Sequence, residues 1–432
     1  MTSEVAKKAC DGVAAVAIRL DRFVDALLPG TGRARGAVIV TLIMGFYSVV
    51  TAWSIVARKT IDFANYYVGA LAFLNHETPY GMSAGRFAEL GRLSHIADVA
   101  TPYFYPPFAA VLVAPLTLLP FDLATWIWNT ASAASIVAGT ALLLGENRWK
   151  REGLLVWGAV AAFVPILTLL HLGQISAILY LCVAFAIHAH EHGRPMSAGA
   201  ALACGALLKI TPIVLIGYLV WRGDWRGVAG AVLGAAVFVA LTLPIVGLAG
   251  WYDFLTIGLG TFHPVDAVSY PPNFTLNGMF LRLLTENPWV APIVVAPGLV
   301  RPLWIGSALI VVGATVAALW PPLRRSTEVR YEIAFILIAV QLIPHFTFSH
   351  QLTLSLLPAC VVLLSGWRSG RLDSRWFCGV ILVVALVDLY GVGWHWIRLG
   401  PVIQSIPLVS VIALWAALGL AFVRRRRSAL PV

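Results

Sequence analysis

Residues 58–107, RKTIDFANYYVGALAFLNHETPYGMSAGRFAELGRLSHIADVATPYFYPP, are the longest polar interval in an otherwise apolar sequence. They follow directly on residues 36–57, an apolar run long enough to cross a bilayer. A chain that keeps so much polar, aromatic and turn-rich sequence beside a membrane span gives that segment a task of its own. Outward from it the same contrast repeats. Hydrophobic residues are 59% of the 432 and charged residues 12%, whereas a soluble domain carries about a quarter charged residues. Apolar runs of spanning length recur from Gly36 to Val423. Helices close their backbone hydrogen bonds within one segment, so these runs read as an all-α polytopic membrane protein.

The expected spans are 36–57, 122–144, 153–172, 174–190, 196–209, 211–221, 227–248, 302–320, 331–346, 351–366, 376–393 and 402–423, about twelve crossings. Residues 106–120, PPFAAVLVAPLTLLP, are too short and proline-punctuated for a simple span and read as a broken or re-entrant segment. Residues 196–221 hold Lys209 and Pro212 near their middle and read as two short helices meeting at a break. With the N-terminus inside, the inner segments carry 22 of the 30 Lys and Arg residues, which places both termini in the cytoplasm. The formal charge of +10 is then a topology signal and gives no reason to expect nucleic acid. The organisation expected is a cytoplasmic segment 1–35 with an interfacial helix over 13–28, one transmembrane domain 36–423, and a basic tail 424–432. Two large loops, 58–107 and 249–301, face outward, and the informative polar residues gather on that side.

Cys10, Cys182, Cys204, Cys360 and Cys378 show no CxxC spacing and predict neither a zinc site nor a disulfide framework. GxxxxGK[ST], HExxH and DxD are all absent from the chain, and no nucleophile elbow is expected. No metal and no cofactor is expected. The tryptophans Trp126, Trp128, Trp394 and Trp396 read as interfacial belt residues; Trp251 and Tyr252 in the second loop are better placed to stack on a flat ligand, but the belt reading is favoured for them too.

Asp62 is the acid to weigh first. It stands between a span end and FANYYVGALAFL, which reads as a short helix. It could cap that helix, or act as a general base beside the aromatics Phe63, Tyr66 and Tyr67, and one carboxylate can do both. Asp98, Asp253 and Asp266 are the alternative acids.

These residues carry a resemblance. DFANYYVGALAFLNHETPYG followed by FYPPFAAVLVAPLTLLP resembles family 87 of the membrane glycosyltransferases, which have the C-type fold and use polyprenyl-phosphate sugars as donors. The matching positions are Asp62, Tyr66, Pro79, Tyr80, Tyr105, Pro106 and Pro107, then Gly173 with Gln174, Lys209 with Pro212, Asn273 with Asn277 and Arg282, and His350. Asn273-Phe274-Thr275 stands where the family often has Asn-Gln-Ser, and His350-Gln351 where it often has a His pair or His-Tyr.

The resemblance implies a transfer of a hexose, mannose in the typical case, to a lipid-linked or envelope glycan acceptor on the outer face of the cell membrane. Asp62 would be the catalytic base. Lys209, Arg282 and His350 would face the donor phosphate, and Gln174, Asn273, Tyr66 and Tyr105 the donor sugar and its surroundings. Four of these have plainer readings: Lys209 as a snorkelling lysine, Arg282 as an outer-surface charge, Gln174 as a cap between adjoining helices, and His350 as a satisfied structural residue at a span entrance. The rival class is a lipid or solute transporter or flippase, which would distribute its polar groups through the spans instead of in asymmetric outer loops.

Overall fold

The computed structural model describes residues 32–57, 60–96, 99, 103–260, 268–271, 273–320, 329–361 and 400–429. The expected interfacial helix 13–28, the span 376–393, Trp394, Trp396, Asp98 and Asp266 lie outside them.

The described backbone is helical and contains no strand. In chain order the helices are α1 (Gly32–Val56), α2 (Ile61–Leu74), α3 (Ala84–Leu93), α4 (Pro107–Val113), α5 (Phe121–Leu144), α6 (Arg151–Ala162), α7 (Val164–Leu172) and α8 (Ser176–Glu191). They continue with α9 (Pro195–Leu208), α10 (Ile213–Arg222), α11 (Trp225–Asp253), α12 (Leu276–Leu284), α13 (Val300–Leu319), α14 (Val329–Leu342) and α15 (Ile406–Ala429). Four stretches are long and apolar enough to cross a membrane: Gly36–Val56, Phe121–Asn147, Trp225–Gly258 and Pro297–Leu319. Large side chains on their outer faces, among them Leu42, Val49, Val232 and Leu309, are exposed as lipid-facing residues are.

Several boundaries differ from the expected spans. The run 153–172 is two helices, α6 and α7, with a break at Phe163 (φ −73°, ψ 102°). The cause is local: Pro165 has no amide hydrogen, which suits a first helical turn and not a helix interior. The run beginning at 227 continues as helix to Asp253, bent where Gly247 takes a positive φ of 65°. Residues 106–120 form the seven-residue α4 and a 3-10 turn, Ala114–Leu118. The side chains of Ala109, Ala110 and Val113 are fully buried, so this broken segment is packed against protein.

The polar interval after the first span is not a loose loop. Ten of the fourteen residues of α2 are buried, because the helix is wedged against α4, the following 3-10 turn and α11. Phe63 stacks on both Phe121 and Trp128 with ring centroids 5.5 Å apart. This aromatic core abuts the main one, where α8 packs between α5 and α9, and α7 packs on a 3-10 turn, Ser349–Ser355.

The ends of α8 differ in chemistry. At the end near Glu191, ion pairs join the helices: Arg330–Glu191 at 2.6 Å, Arg222–Glu332 at 2.7 Å and His190–Asp224 at 3.0 Å. At the other end, about 24 Å away for sixteen residues, lies the cluster described next.

Candidate active site

Asp62 sits in the first turn of α2, where the helix dipole favours a carboxylate. The capping role its position suggests is not the one it plays. Thr60 is the N-cap, without a side-chain cap bond, and Asp62 Oδ2 instead accepts a hydrogen bond from Gln174 Nε2 at 2.9 Å.

Gln174 reaches Asp62 because of how α7 ends. Gly173 adopts the left-handed conformation (φ 70°, ψ 38°), its N–H donates to Leu170 O, and Gln174 N–H donates to Leu169 O. This is the glycine-terminated helix end in which two last carbonyls are satisfied by the backbone itself. Trp128 Nε1 donates to Gly173 O at 2.8 Å and Asn129 Nδ2 to Leu170 O at 2.8 Å, which fixes the turn from the side of α5. Trp128 is therefore a buried support and not the lipid-facing belt residue that its sequence context suggests.

Tyr66 is one turn along α2 from Asp62 and fully buried. Its hydroxyl donates to Gln174 Oε1 at 3.0 Å. The second amide hydrogen of Gln174 goes to Tyr105 Oη at 3.1 Å, and the Tyr66 and Tyr105 rings meet edge to face at 4.6 Å. Tyr105 is anchored in turn: its carbonyl accepts from Tyr80 Oη at 2.6 Å, and Pro106 and Pro107 start α4 directly after it. Four expected site residues thus form one hydrogen-bonded group built from three separate stretches.

Lys209 and His350 complete this end of the molecule. Lys209 is an extended residue (φ −157°, ψ 130°) in the break between α9 and α10. Its ammonium is buried without a hydrogen-bond partner, close enough for its charge to act on both Asp62 and His350. A snorkelling lysine would carry its ammonium out to water, so that reading is set aside. His350, at the start of the 3-10 turn, is 5% exposed, and its Nε2 also lacks a partner. Beside them opens a cavity of about 410 Å³ lined by Ser176, Lys209, Thr211, His345, Thr347 and Gln351, with Trp304 as an apolar wall.

Burial pushes the Asp62 carboxyl up to about 6, while the Gln174 hydrogen bond and the Lys209 charge hold it down. A carboxylate so placed is a better proton acceptor than one in water and is still ionised at neutral pH.

Asn273 and Arg282 stand apart from this group. Asn273 Nδ2 donates to Val268 O at 2.7 Å and His345 O at 2.9 Å, and its Oδ1 accepts from Thr347 N at 3.0 Å. Arg282, fully buried, donates from Nη1 to Asn273 O at 3.1 Å and Tyr270 O at 3.3 Å. The plainer reading of Arg282 as an outer-surface charge is set aside by this burial. Both side chains hold the segment that carries His345 and Thr347 into the cavity wall. Asp253 ends α11, with its charge towards Tyr80. Trp251, considered for sugar stacking, donates to Thr242 Oγ1 at 2.8 Å, and Tyr252 is exposed. Among the described residues no group of three or more His, Cys, Asp and Glu converges as a metal site would require.

Sequence reasoning missed His345, Ser176 and Thr347 as cavity residues. His345 stands five residues before His350 in the turn HFTFSH, and its tilted ring contact with Trp304 (centroids 4.5 Å apart) and contact with Asn277 Nδ2 at 3.2 Å carry no sequence signal.

The sequence pattern of glycosyltransferase family 87 matches residues 103–349, more than half of the chain. The chain belongs to glycosyltransferase family 87. Two relatives from Mycobacterium tuberculosis resemble this family 87 chain over most of their length. One, from strain CDC 1551 / Oshkosh, is a polyprenol-phosphate-mannose-dependent alpha-(1-2)-phosphatidylinositol pentamannoside mannosyltransferase, 25% identical over 351 residues, which is 79% of this chain and 75% of the relative. The other, from strain ATCC 25618 / H37Rv, is a polyprenol-phosphate-mannose-dependent alpha-(1-2)-phosphatidylinositol mannoside mannosyltransferase, 25% identical over 342 residues and 75% of each chain. A pentamannoside mannosyltransferase of Mycolicibacterium smegmatis is 28% identical over a shorter match of 204 residues, 46% of this chain. The family 87 match includes Tyr105, Gln174, Lys209, Asn273 and Arg282; His350 follows its last residue, and Asp62 and Tyr66 lie well before its start.

Proposed function

We propose that this family 87 glycosyltransferase moves a mannosyl group from polyprenyl-phosphate mannose to a hydroxyl of a mannolipid, with Asp62 as the base. The observation that carries the reading is the pairing of a partly buried carboxylate, Asp62, with a buried, hydrogen-bond-free ammonium, Lys209, at one end of the helix assembly. Such a pair matches what the reaction demands. The acceptor oxygen bonds to the anomeric carbon as the bond from that carbon to the phosphate oxygen breaks, and the electron pair leaves with the phosphate. The acceptor hydroxyl is far too weak an acid to ionise beforehand, so its proton passes to Asp62 as attack proceeds. A single displacement of this kind inverts the anomeric centre and needs only one carboxylate. Negative charge grows on the leaving phosphate, where the unpartnered Lys209 ammonium and His350 Nε2 are available to stabilise it.

The names of the mycobacterial relatives supply the chemical class of the donor and of a phosphatidylinositol mannoside acceptor. Membership of a glycosyltransferase family argues against the transporter reading. The architecture we infer is the C-type fold, a single unit over 36–423 with about twelve crossings. Both termini are cytoplasmic and the Asp62 cluster faces outward on the cell membrane. The basic inner loops and the ion pairs at the far end of α8 support that orientation.

The test is Asp62→Asn in membranes supplied with polyprenyl-phosphate mannose and a phosphatidylinositol mannoside, with products read by mass. Loss of the new glycosidic product supports the assignment, and transfer at the wild-type rate overturns it. A transporter would move substrate across the membrane without forming any such product.

A further inference from the structure

Gln174 was expected among the residues that touch the donor sugar, yet its hydrogen-bonding capacity is spent inside the protein. It is 2% exposed. Both hydrogens of its amide are committed, one to Asp62 Oδ2 at 2.9 Å and one to Tyr105 Oη at 3.1 Å. Its oxygen accepts from Tyr66 Oη at 3.0 Å. Tyr66 Oη receives the Ile175 N–H at 3.5 Å, so its single hydrogen is directed to the amide oxygen. Turning the amide over would set its oxygen against Asp62 Oδ2, oxygen to oxygen, and would aim its N–H groups at the hydrogen of Tyr66. One orientation is therefore enforced. Among the described residues no hydrogen bond is donated to the other carboxylate oxygen, Asp62 Oδ1.

We infer that Gln174 is a positioning residue for the base: it pins one oxygen of Asp62 so that the other faces the acceptor hydroxyl, and Tyr66 locks its amide for that task. The inference rests on the reading of Asp62 as the base. An untethered carboxylate rotates about its terminal bond and offers either oxygen in many directions. Holding Oδ2 from the Gln174 side fixes the plane of the group and the lone pair that Oδ1 presents. Because the tether donates a hydrogen bond to the ionised form, it also favours ionisation in a buried site. The charged and titratable groups facing Asp62 are Lys209 from the α9–α10 break, Tyr66 from α2 and Tyr105 before α4, with His350 beyond Lys209. None of these donates to Oδ2 in place of Gln174.

A positioning role and a sugar-binding role predict different kinetics. The experiment compares wild type with Gln174→Met, which keeps the side chain's length without its hydrogen bonds, and with Tyr66→Phe, which removes one oxygen atom. Full-length protein in lipid nanodiscs is assayed with polyprenyl-phosphate mannose and a phosphatidylinositol mannoside across pH. For Gln174→Met the acid limb of kcat/KM should move up by about one pH unit, the size expected for loss of one charge-assisted hydrogen bond. Its kcat should fall about tenfold or more with KM for the donor little changed. Tyr66→Phe should move the limb in the same direction by less, and it carries the test if Gln174→Met does not fold. A raised KM for the donor with the limb at its wild-type position overturns the inference and makes Gln174 a substrate ligand. Wild-type limbs in both variants overturn it as well. If Asp62→Asn is inactive while the limbs stay put, only the positioning role fails. If Asp62→Asn is active, the base assignment and this inference fall together.

Discussion

Gly173→Ala tests the local geometry most sharply, because it adds one carbon atom at the turn that aims Gln174. A Cβ at Gly173 would lie 2.5 Å from Phe63 Cβ, where ordinary contact begins at 3.4 Å. The shortfall is about 0.9 Å, and Phe63 cannot yield it by rotating, since the clash is with its Cβ and its ring is stacked against Phe121 and Trp128. Either the turn or the first turn of α2 must move, and Phe63 is next to Asp62. Displacement along the Gln174–Asp62 bond would stretch it from 2.9 Å to about 3.8 Å, beyond hydrogen-bonding range. Left-handed backbone costs an alanine roughly 1–2 kcal/mol and overpacking a further 1–3 kcal/mol. A misplacement of about 1 Å at a catalytic group is expected to cost roughly a hundredfold in rate.

Gly223→Ala supplies the control. Gly223 ends α10 with nearly the same backbone (φ 72°, ψ 23°), and a Cβ there meets nothing within 4 Å. It should show the backbone cost alone and keep wild-type transfer per folded molecule. The assay pairs thermal unfolding in detergent with single-turnover mannosyl transfer. Equal losses of stability and rate in the two variants would refute the argument that the Phe63 contact aims Gln174.

The pH dependence follows from Asp62. Because burial raises its carboxyl to about 6, the base is protonated and idle below that pH, so kcat/KM should fall about tenfold per pH unit on the acid side. A profile that stays flat down to the ordinary carboxylate range would contradict it. Lys209→Met removes the charge offered to the leaving phosphate and should lower kcat by about 10²–10³, with a loss of less than tenfold in single-turnover assays counting against that role. At the opposite end, Glu332→Gln strips the buried Arg222 of its charged partner and should destabilise by about 3–5 kcal/mol. Thermal unfolding reads that loss, transfer per folded molecule should persist, and an unchanged melting temperature would refute the structural role of the pair.

The helical membrane class, the break at Lys209, the broken segment after Tyr105 and the importance of the Asp62 region were legible because they are local. Apolar run length, a proline's missing amide and a charge placed against lipid act within a few residues of chain. The site group was legible only as separate motifs, and the resemblance to family 87 supplied their order. What the turn at Gly173 does with Gln174, and which way Tyr66 faces, depend on contacts across more than a hundred residues, Tyr66 to Gln174 and Asp62 to Gln174. Sequence spacing carries no information about such contacts. For the same reason Trp128 reads as a belt residue and Arg282 admits a surface-charge reading, since each has a local pattern that fits a position the tertiary packing does not give it.

The sequence by itself determined that this chain is a helical membrane protein with its polar chemistry gathered after the first span, because hydropathy and charge are summed along the chain. Tertiary structure decided that the polar stretch opens with a buried helix, Ile61–Leu74, that Asp62 is held by Gln174 and not by a helix terminus, and that Lys209 faces it without a hydrogen-bond partner. Those outcomes depend on which surfaces exclude water and which donors meet which acceptors, and only packing among distant segments fixes either.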